Sequence, residues 1–169
     1  SFFPEIIMGI ESVLRPNGYH VLICQSNESA EIELENLKAL ESKMVDGFII
    51  SVTGNENYSY LKRLLDNNFP LVFFNRICSN LDASHVVIDD YKWAYTAVSH
   101  LITNGHKHIA HLAGPNGLEL TEMRKQGYLN ALKDHGFSID DNLIIPCGVQ
   151  MELGVMGAHK ILNMPNRPD

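Results

Sequence analysis

The sequence has few cysteines, and their arrangement excludes the kinds of site that depend on them. Its 3 cysteines, Cys24, Cys78 and Cys147, are widely spaced and form no CxxC pair. Disulfide frameworks and structural zinc sites need even-numbered or closely spaced cysteines. We therefore expect reduced thiols, which are typical of a cytoplasmic protein.

Basic residues and long apolar segments are also scarce. Lys and Arg number 13 against 20 Asp and Glu, which gives a formal charge of −7. An acidic surface repels a phosphate backbone, so we expect that this segment does not hold nucleic acid by itself. No apolar run approaches the roughly 18 residues that a membrane span needs, and we predict no contact with a membrane.

The common signatures of catalysis are missing. There is no G-x-S-x-G, no Walker loop and no G-x-G-x-x-G, the patterns that position a nucleophile or a phosphate. Asp89-Asp90 is an acid pair, but a helix cap is the simpler interpretation. His106, His108 and His111 suggest a metal, but the first falls in a turn and the other two point to opposite faces of a strand. We therefore predict neither an enzyme nor a cofactor or metal.

What the sequence does contain is a regular alternation of short apolar runs and amphipathic helices. The apolar runs lie at residues 19–24, 48–52, 71–74, 85–88, 109–112 and 143–146. Continuous apolar runs are typical of strands that are covered on both faces. We predict an α/β fold with parallel sheets flanked by helices and joined by right-handed crossovers. The first helix has no strand before it and a strand is expected after the last helix, so the fold is expected to be incomplete at both ends.

Local signals place the helices between these strands. Pro4 suits the first turn of a helix, where its missing N–H costs nothing. Asn27 and Ser29 offer capping oxygens to the next helix. Asp89 or Asp90 can cap the helix that follows residues 85–88. For the inward face of that helix the sequence suggests Trp93, Ala97, Leu101 and Ile102.

Arg124 is the first candidate for a ligand-binding residue. Gly114-Pro115 ends the apolar run before it, and a helix is predicted over residues 119–135. Arg124 therefore lies in an early turn of a helix at the carboxyl end of a strand, where ligands bind in open parallel sheets. A fixed cation there suits an anionic or polyhydroxyl ligand. The alternative is a surface salt bridge with Glu119 or Glu122.

Two further pairs lie at the same predicted edge of the sheets. Phe2 and Phe3 begin the first helix and can stack on the apolar face of a sugar or a base; the alternative is a hydrophobic staple or core filler. Asn75 and Arg76 directly follow residues 71–74. An amide beside a guanidinium suits bidentate binding of hydroxyls or a carboxylate, and the alternative is a solvated loop pair.

The order of the motifs resembles the effector-binding core of the LacI family of transcriptional regulators. The resemblance spans nearly the whole chain. Its motifs are FFxxIxxGIE, GYHVL, DGFII, PLV, VID, GHKHIA and RxxGYxxAL. The family fold implied is a two-lobed, periplasmic-binding-protein-like core with a ligand cleft between the lobes. Residues 1–90 would then form the amino-terminal lobe without its first strand, and 91–169 part of the carboxy-terminal lobe.

The resemblance also implies roles for individual residues. Phe2 and Phe3 match the ring-stacking positions, and Arg124 matches the arginine that holds ligand oxygens. Asn75-Arg76 matches a common Asp-Arg pair, so Asn75 lacks the charge that is usual there. Val149 stands where an aromatic residue often covers the ligand.

Two residues in the loop before Arg124 differ from the family pattern, and they restrict the class of effector that the resemblance implies. Leu118 and Leu120 replace the polar contacts of purine-responsive relatives, which argues against a purine. The resemblance implies the effector-sensing domain of a cytoplasmic, homodimeric LacI-type regulator that binds a sugar or sugar derivative. Operator DNA would be bound by a helix-turn-helix headpiece that is not in this chain. The alternative is a periplasmic sugar-binding protein of a transporter.

Overall fold

The computed structural model describes residues 2–169 and shows helices alternating with short strands. The elements in chain order are α1 (Phe2–Leu14), α2 (Ala30–Ser42), β1 (Phe48–Ile50), α3 (Tyr58–Asp66), β2 (Leu71–Phe74), β3 (Ser84–Val86), α4 (Asp90–Thr103), β4 (His111–Ala113), α5 (Glu119–Asp134), β5 (Ile144–Pro146) and α6 (Met151–Leu162). Within residues 2–169, no helix is both long enough and apolar enough to cross a membrane.

All strand pairs in the two sheets are parallel. One sheet has the order β1-β2-β3, with Phe48 opposite Leu71 and Val72 opposite Ser84. The other pairs β4 with β5, and His111 lies opposite Ile144. Each connection between neighbouring strands is long enough to contain a helix or a loop crossover. The prediction of an α/β fold with parallel sheets flanked by helices is therefore confirmed.

Each sheet has its own hydrophobic core. The first core is formed by Leu37, Phe48, Val52, Leu61, Leu64, Leu71, Phe73 and Cys78. The second is formed by Val98, Ile109, Tyr128, Ala131 and Leu132. The assignment of residues 1–90 and 91–169 to two lobes of a larger core stays a prediction.

Two sequence-based expectations about these elements are wrong. Residues 19–24 form no strand, because β1 is an edge strand and no described segment pairs with this stretch. The predicted inward face of α4 is wrong as well, since Trp93 is 58% exposed and Ala97 and Leu101 are also exposed. Of the four residues predicted there, only Ile102 packs against the second core. Val98 is instead the buried residue of α4 that packs in the second core, because α4 turns that face towards α5.

The start of α4 packs closely against the middle of α5. A Cβ added at Gly127 would lie 2.4 Å from the carbonyl oxygen of Tyr91 and 2.9 Å from the amide nitrogen of Tyr95. Only glycine allows this approach of the two backbones. The hydroxyl of the buried Tyr128 donates to the carbonyl of Ile109 at 2.9 Å. This hydrogen bond ties α5 to the segment leading into β4.

Candidate ligand site

Arg124 and Asp90 form an ion pair at the starts of α5 and α4. Arg124 Nε donates to Asp90 Oδ1 at 2.6 Å, and the two side chains are 47% and 9% exposed. Asp89, rather than Asp90, caps α4 by accepting from the backbone N–H of Lys92 at 2.9 Å. Among the described residues, the terminal guanidinium nitrogens of Arg124 have no hydrogen-bond partner. The sequence-based alternative of a salt bridge to Glu119 or Glu122 is therefore wrong, because the partner lies on the neighbouring helix.

A cavity of about 140 Å³ lies beside this ion pair. Its walls come from the segments that follow β2 and β3 and from the first turns of α4 and α5. The lining residues include Asn75, Arg76, Asp90, Tyr91, Leu118 and Met123. The first cavity therefore brings Asn75 and Arg76, which the sequence predicted as ligand-binding residues, together with the carboxylate of Asp90.

The backbone at Asn75 turns sharply at the end of β2. Asn75 has a φ of 60°, a left-handed conformation that Asn tolerates better than most residues. Its amide donates to Ser51 Oγ at 3.3 Å, and Arg76 N donates to the carbonyl of Phe74 at 2.6 Å. The turn places the amide of Asn75 near the end of the first sheet.

Arg76 is held by a protein carboxylate. Its guanidinium donates to both carboxylate oxygens of Glu28, at 2.7 and 3.2 Å, and its side chain is 13% exposed. Bidentate geometry of this kind is the strongest form of an arginine–carboxylate ion pair. The contact spans 48 residues of sequence, and no local pattern pointed to Glu28 as the partner. Arg76 thus lines the first cavity with its planar fork already occupied.

Phe2 and Phe3 form an aromatic cluster with Phe74 at the end of β2. Their rings meet edge to face with centroids 5.3 Å apart, and Phe3 meets Phe74 in the same way at 6.0 Å. Both side chains of the pair are exposed. Phe74 precedes Asn75 directly, so the pair lies next to the predicted site. Of the described residues, however, neither Phe2 nor Phe3 lines either of the two cavities.

A second cavity, of about 240 Å³, lies on the other side of Arg124. It is bounded by the carboxyl ends of β4 and β5 and by parts of α5 and α6. Its lining includes Arg124, Val149, His111, Thr121, Cys147 and Gly148. Asp90 lines the first cavity and Arg124 the second, so their ion pair lies between the two spaces. Both lie at a strand-end crevice of the type where ligands bind in α/β folds.

Two polar residues that line the second cavity were not predicted from the sequence as ligand-binding residues. His111 stacks on Tyr128, with ring centroids 5.1 Å apart and planes 18° apart. Burial lowers the pKa of His111, and the positive charges of Lys125 and Arg124 lower it further. Thr121 is only 3% exposed. The sequence pointed to His111 only as a candidate metal ligand, and a threonine in a helix carries no pattern that would have marked Thr121.

The buried carboxylate of Glu33 stabilises the segments next to the first sheet. Glu33 of α2 accepts from the backbone N–H of Thr53 at 2.7 Å and from the side-chain amide of Asn57 at 2.8 Å. The same amide donates to the carbonyl of Ala30 at 2.9 Å. These bonds fix the start of α2 to the loop between β1 and α3. In sequence, Glu33 was indistinguishable from the exposed acids of the same helix.

Comparison with known proteins identifies the family. Residues 1–169 match the family model described as periplasmic binding proteins and sugar binding domain of the LacI family. The HTH-type transcriptional regulator DegA of Bacillus subtilis is 29% identical over 96% of this chain and 49% of its own length. The HTH-type transcriptional repressor CytR of Escherichia coli is 30% identical over 99% of this chain and 49% of its own length.

A solved structure agrees with these matches. Transcription regulator CcpA of Lactococcus lactis superimposes with a TM-score of 0.86 at 25% identity, covering 95% of this chain and 59% of that one. The chain spans about half the length of the curated relatives it matches. The match over the whole chain, together with the parallel sheets and the crevice at their carboxyl ends, shows that the chain belongs to the family of periplasmic binding proteins and LacI-type sugar-binding domains.

Proposed function

We propose that this chain is the effector-sensing part of a LacI-type transcriptional regulator and that its effector is a sugar or sugar derivative. The observation that carries the proposal is the Asp90–Arg124 pair, which lies between two cavities at the carboxyl ends of the strands. A carboxylate accepts from sugar hydroxyls and a guanidinium donates to sugar oxygens. The family description as a sugar binding domain supports the same ligand class.

The proposed ligand contacts come from both halves of the chain. Asn75 and Arg76 follow β2 of the first sheet, whereas Arg124 and Val149 belong to the segments around the second sheet. Phe2 and Phe3 would stack on the ligand from the end of β2, provided that their exposed rings turn towards it. A ligand held by both halves favours the arrangement in which they are close together. Such differential binding is what an allosteric effector requires.

The regulatory part of the proposal concerns the whole protein. The relatives DegA and CytR are named as HTH-type transcriptional regulators, so we propose a helix-turn-helix headpiece on the same polypeptide, operator DNA as its partner and a cytoplasmic location. A palindromic operator needs two headpieces at fixed spacing, which is the reason to propose a homodimer. The exposed Met8 and the half-buried Ile7 of α1 are candidate interface residues.

A non-enzymatic role fits the contacts of the acidic residues. Asp89 is committed to capping α4 and Asp90 to Arg124. The alternative, a periplasmic sugar-binding protein, predicts a signal peptide on the full-length protein in place of a headpiece.

The test is calorimetric titration of the full-length protein with D-ribose, D-glucose, D-galactose and cellobiose, followed by DNA-binding measurements with and without the sugar that binds. We expect saturable binding of at least one sugar and a change in DNA affinity on its addition. Sugar binding without any DNA binding would favour the transport role. Turnover of the bound sugar would contradict both roles.

A further inference from the structure

Arg76 lines the first cavity, but its positive charge is largely cancelled by Glu28. Nη1 and Nη2 of the guanidinium each donate to one oxygen of the Glu28 carboxylate, at 2.7 and 3.2 Å. The arginine side chain is 13% exposed and that of Glu28 is 39% exposed. A partly buried pair of this kind is screened less by solvent and salt than an exposed pair. The cavity wall at the end of β2 therefore carries little net charge.

The backbone at Glu28 has a conformation that glutamate rarely adopts. Asn27 and Glu28 have positive φ angles of 51° and 62°, and the N–H of Ser29 donates to the carbonyl of Ser26 at 2.9 Å. Two left-handed residues bridged in this way are typical of a type I′ turn, which prefers Asn-Gly. Glutamate at the glycine position is strained. The bidentate contact with Arg76 offsets this strain, so the side chain at position 28 matters more than the ease of making the turn.

The second guanidinium of the candidate site also has a carboxylate partner. Arg124 donates to Asp90 at 2.6 Å, and Asp90 is 9% exposed. Asp89 and Glu119 line the first cavity as well. Among the described residues of this cavity and its two ion pairs, the carboxylates outnumber the guanidinium groups once Glu28 is included.

This balance of charge decides between the two classes of ligand that a cation at this edge of the sheets suits. A carboxylate or phosphate on the ligand would meet guanidinium groups that are already paired and would be repelled by the excess of carboxylates. A hydroxyl needs no opposite charge, since it donates to a carboxylate and accepts from a guanidinium N–H. The arrangement therefore favours an uncharged polyhydroxyl ligand over an anionic one.

We propose that Glu28, acting through Arg76, restricts the effector to uncharged sugars and excludes sugar acids and sugar phosphates. Glu28 is a positioning residue, because it holds the guanidinium and cancels its charge without contacting the ligand itself. Without Glu28, Arg76 would be an unpaired cation beside the cavity, which is the group that binds carboxylates and phosphates best. The inference rests on the proposed function, because it names the class of sugar that the same site accepts.

The experiment measures charge selectivity in the full-length protein and in Glu28→Gln, which keeps the size of the side chain and removes its charge. The probes are four pairs of sugars: D-glucose with D-glucuronate, D-galactose with D-galacturonate, D-ribose with D-ribose 5-phosphate and cellobiose with cellobiose 6′-phosphate. The members of each pair share their sugar ring and differ in an anionic group. Calorimetry gives both affinities, and thermal unfolding checks that each variant folds.

Two further variants separate charge from structure. Glu31→Gln is the matched control, since it makes the same change of net charge at an exposed residue of α2. Glu28→Gly removes the same carboxylate as Glu28→Gln and puts glycine at the turn position that prefers it. This variant is therefore expected to fold even if Glu28→Gln does not.

We expect the wild type to bind the neutral member of at least one pair, and to bind its charged member about tenfold more weakly or not at all. Both Glu28 variants should bind that charged member about tenfold more tightly than the wild type does. Their affinity for the neutral sugar should change by less than about threefold. Glu31→Gln should bind both members like the wild type.

Equal changes in the two affinities, or no change in either, would show that Glu28 has only a structural role and would overturn the inference alone. A wild type that binds the charged member as tightly as the neutral one would do the same, because sugar binding itself would stand. A wild-type protein that binds none of these sugars would overturn the proposed function and this inference together.

Discussion

Arg124 Nε lies 2.6 Å from Asp90 Oδ1, and this ion pair connects two residues that are 34 positions apart in sequence, one at the start of α4 and the other in the second turn of α5. Asp90 is buried and Arg124 is half-exposed. A buried carboxylate is costly unless it is paired and hydrogen-bonded. The pair therefore holds the guanidinium in place while leaving its terminal nitrogens available, which is the preorganisation that a ligand-binding arginine needs.

Arg124→Ala should reduce the affinity for the sugar effector by about 2 kcal/mol or more, because it removes charge-assisted hydrogen bonds and leaves Asp90 without its partner. Calorimetry on the full-length protein measures the change. Lys133→Ala is the control, since Lys133 is an exposed cation near the far end of the same helix. An Arg124→Ala variant with wild-type affinity would remove Arg124 from the site.

Glu33→Gln should lower the free energy of unfolding by about 1–3 kcal/mol. Both groups that face the carboxylate are donors, the backbone N–H of Thr53 and the amide of Asn57. The NH₂ group of glutamine would therefore face a donor whichever way it is turned. Urea unfolding measures the change, and Glu35→Gln is the control because Glu35 is an exposed residue of the same helix. Equal losses in the two variants would show that the buried bonds contribute no net stability.

Gly127→Ala should destabilise the protein by about 1–3 kcal/mol through overpacking. The new methyl group would meet the backbone of α4, at Tyr91 and Tyr95, and backbone atoms cannot move aside as a flexible side chain can. Gly9→Ala in α1 has no atom within 4 Å of the added Cβ and should instead be stabilising by about 0.5–1 kcal/mol. Thermal unfolding compares the two variants. A neutral Gly127→Ala would mean that α5 can shift away from α4 at little cost.

The helices were predictable because their signals are local. Ser29 caps α2 by accepting from the N–H of Ile32, and α5 covers Glu119–Asp134 where a helix was predicted over residues 119–135. The fold class followed from the apolar runs for the same reason. Residues 19–24 were mistaken for a strand because an apolar run does not reveal whether a neighbouring strand is present to pair with it.

The partners within the candidate site were not predictable. Arg76 pairs with Glu28 and Arg124 with Asp90, and each partner is distant in sequence, so only the packing of the elements selects it. The sequence located the guanidinium groups at the strand ends through the order of the elements. It gave no sign of Thr121 and pointed to His111 only as a candidate metal ligand, because a polar residue that packs inside the protein differs from an exposed one only in its surroundings.

The stability of the protein should depend on the protonation of His111. The pKa of His111 in the folded protein is lowered from 6.5 by burial and then by Lys125 and Arg124, so the unfolded chain binds this proton more readily. The contribution of His111 to the free energy of unfolding is therefore fully present above pH 6.5 and is lost as the pH falls towards the folded-state pKa. For one proton, the free energy of unfolding changes by at most about 1.4 kcal/mol per pH unit.

His111→Phe removes this proton-binding group and keeps an aromatic ring against Tyr128. Urea unfolding of the full-length protein at pH 7.5 and pH 5.5 should show that the wild type loses more stability on acidification than His111→Phe does. The other histidines are present in both proteins, so their contributions cancel in the difference. His20→Phe, which replaces an exposed histidine, should follow the wild type. Parallel pH dependence of wild type and His111→Phe would contradict a partly buried, neutral His111, because removing such a ring from water makes its protonation cost stability.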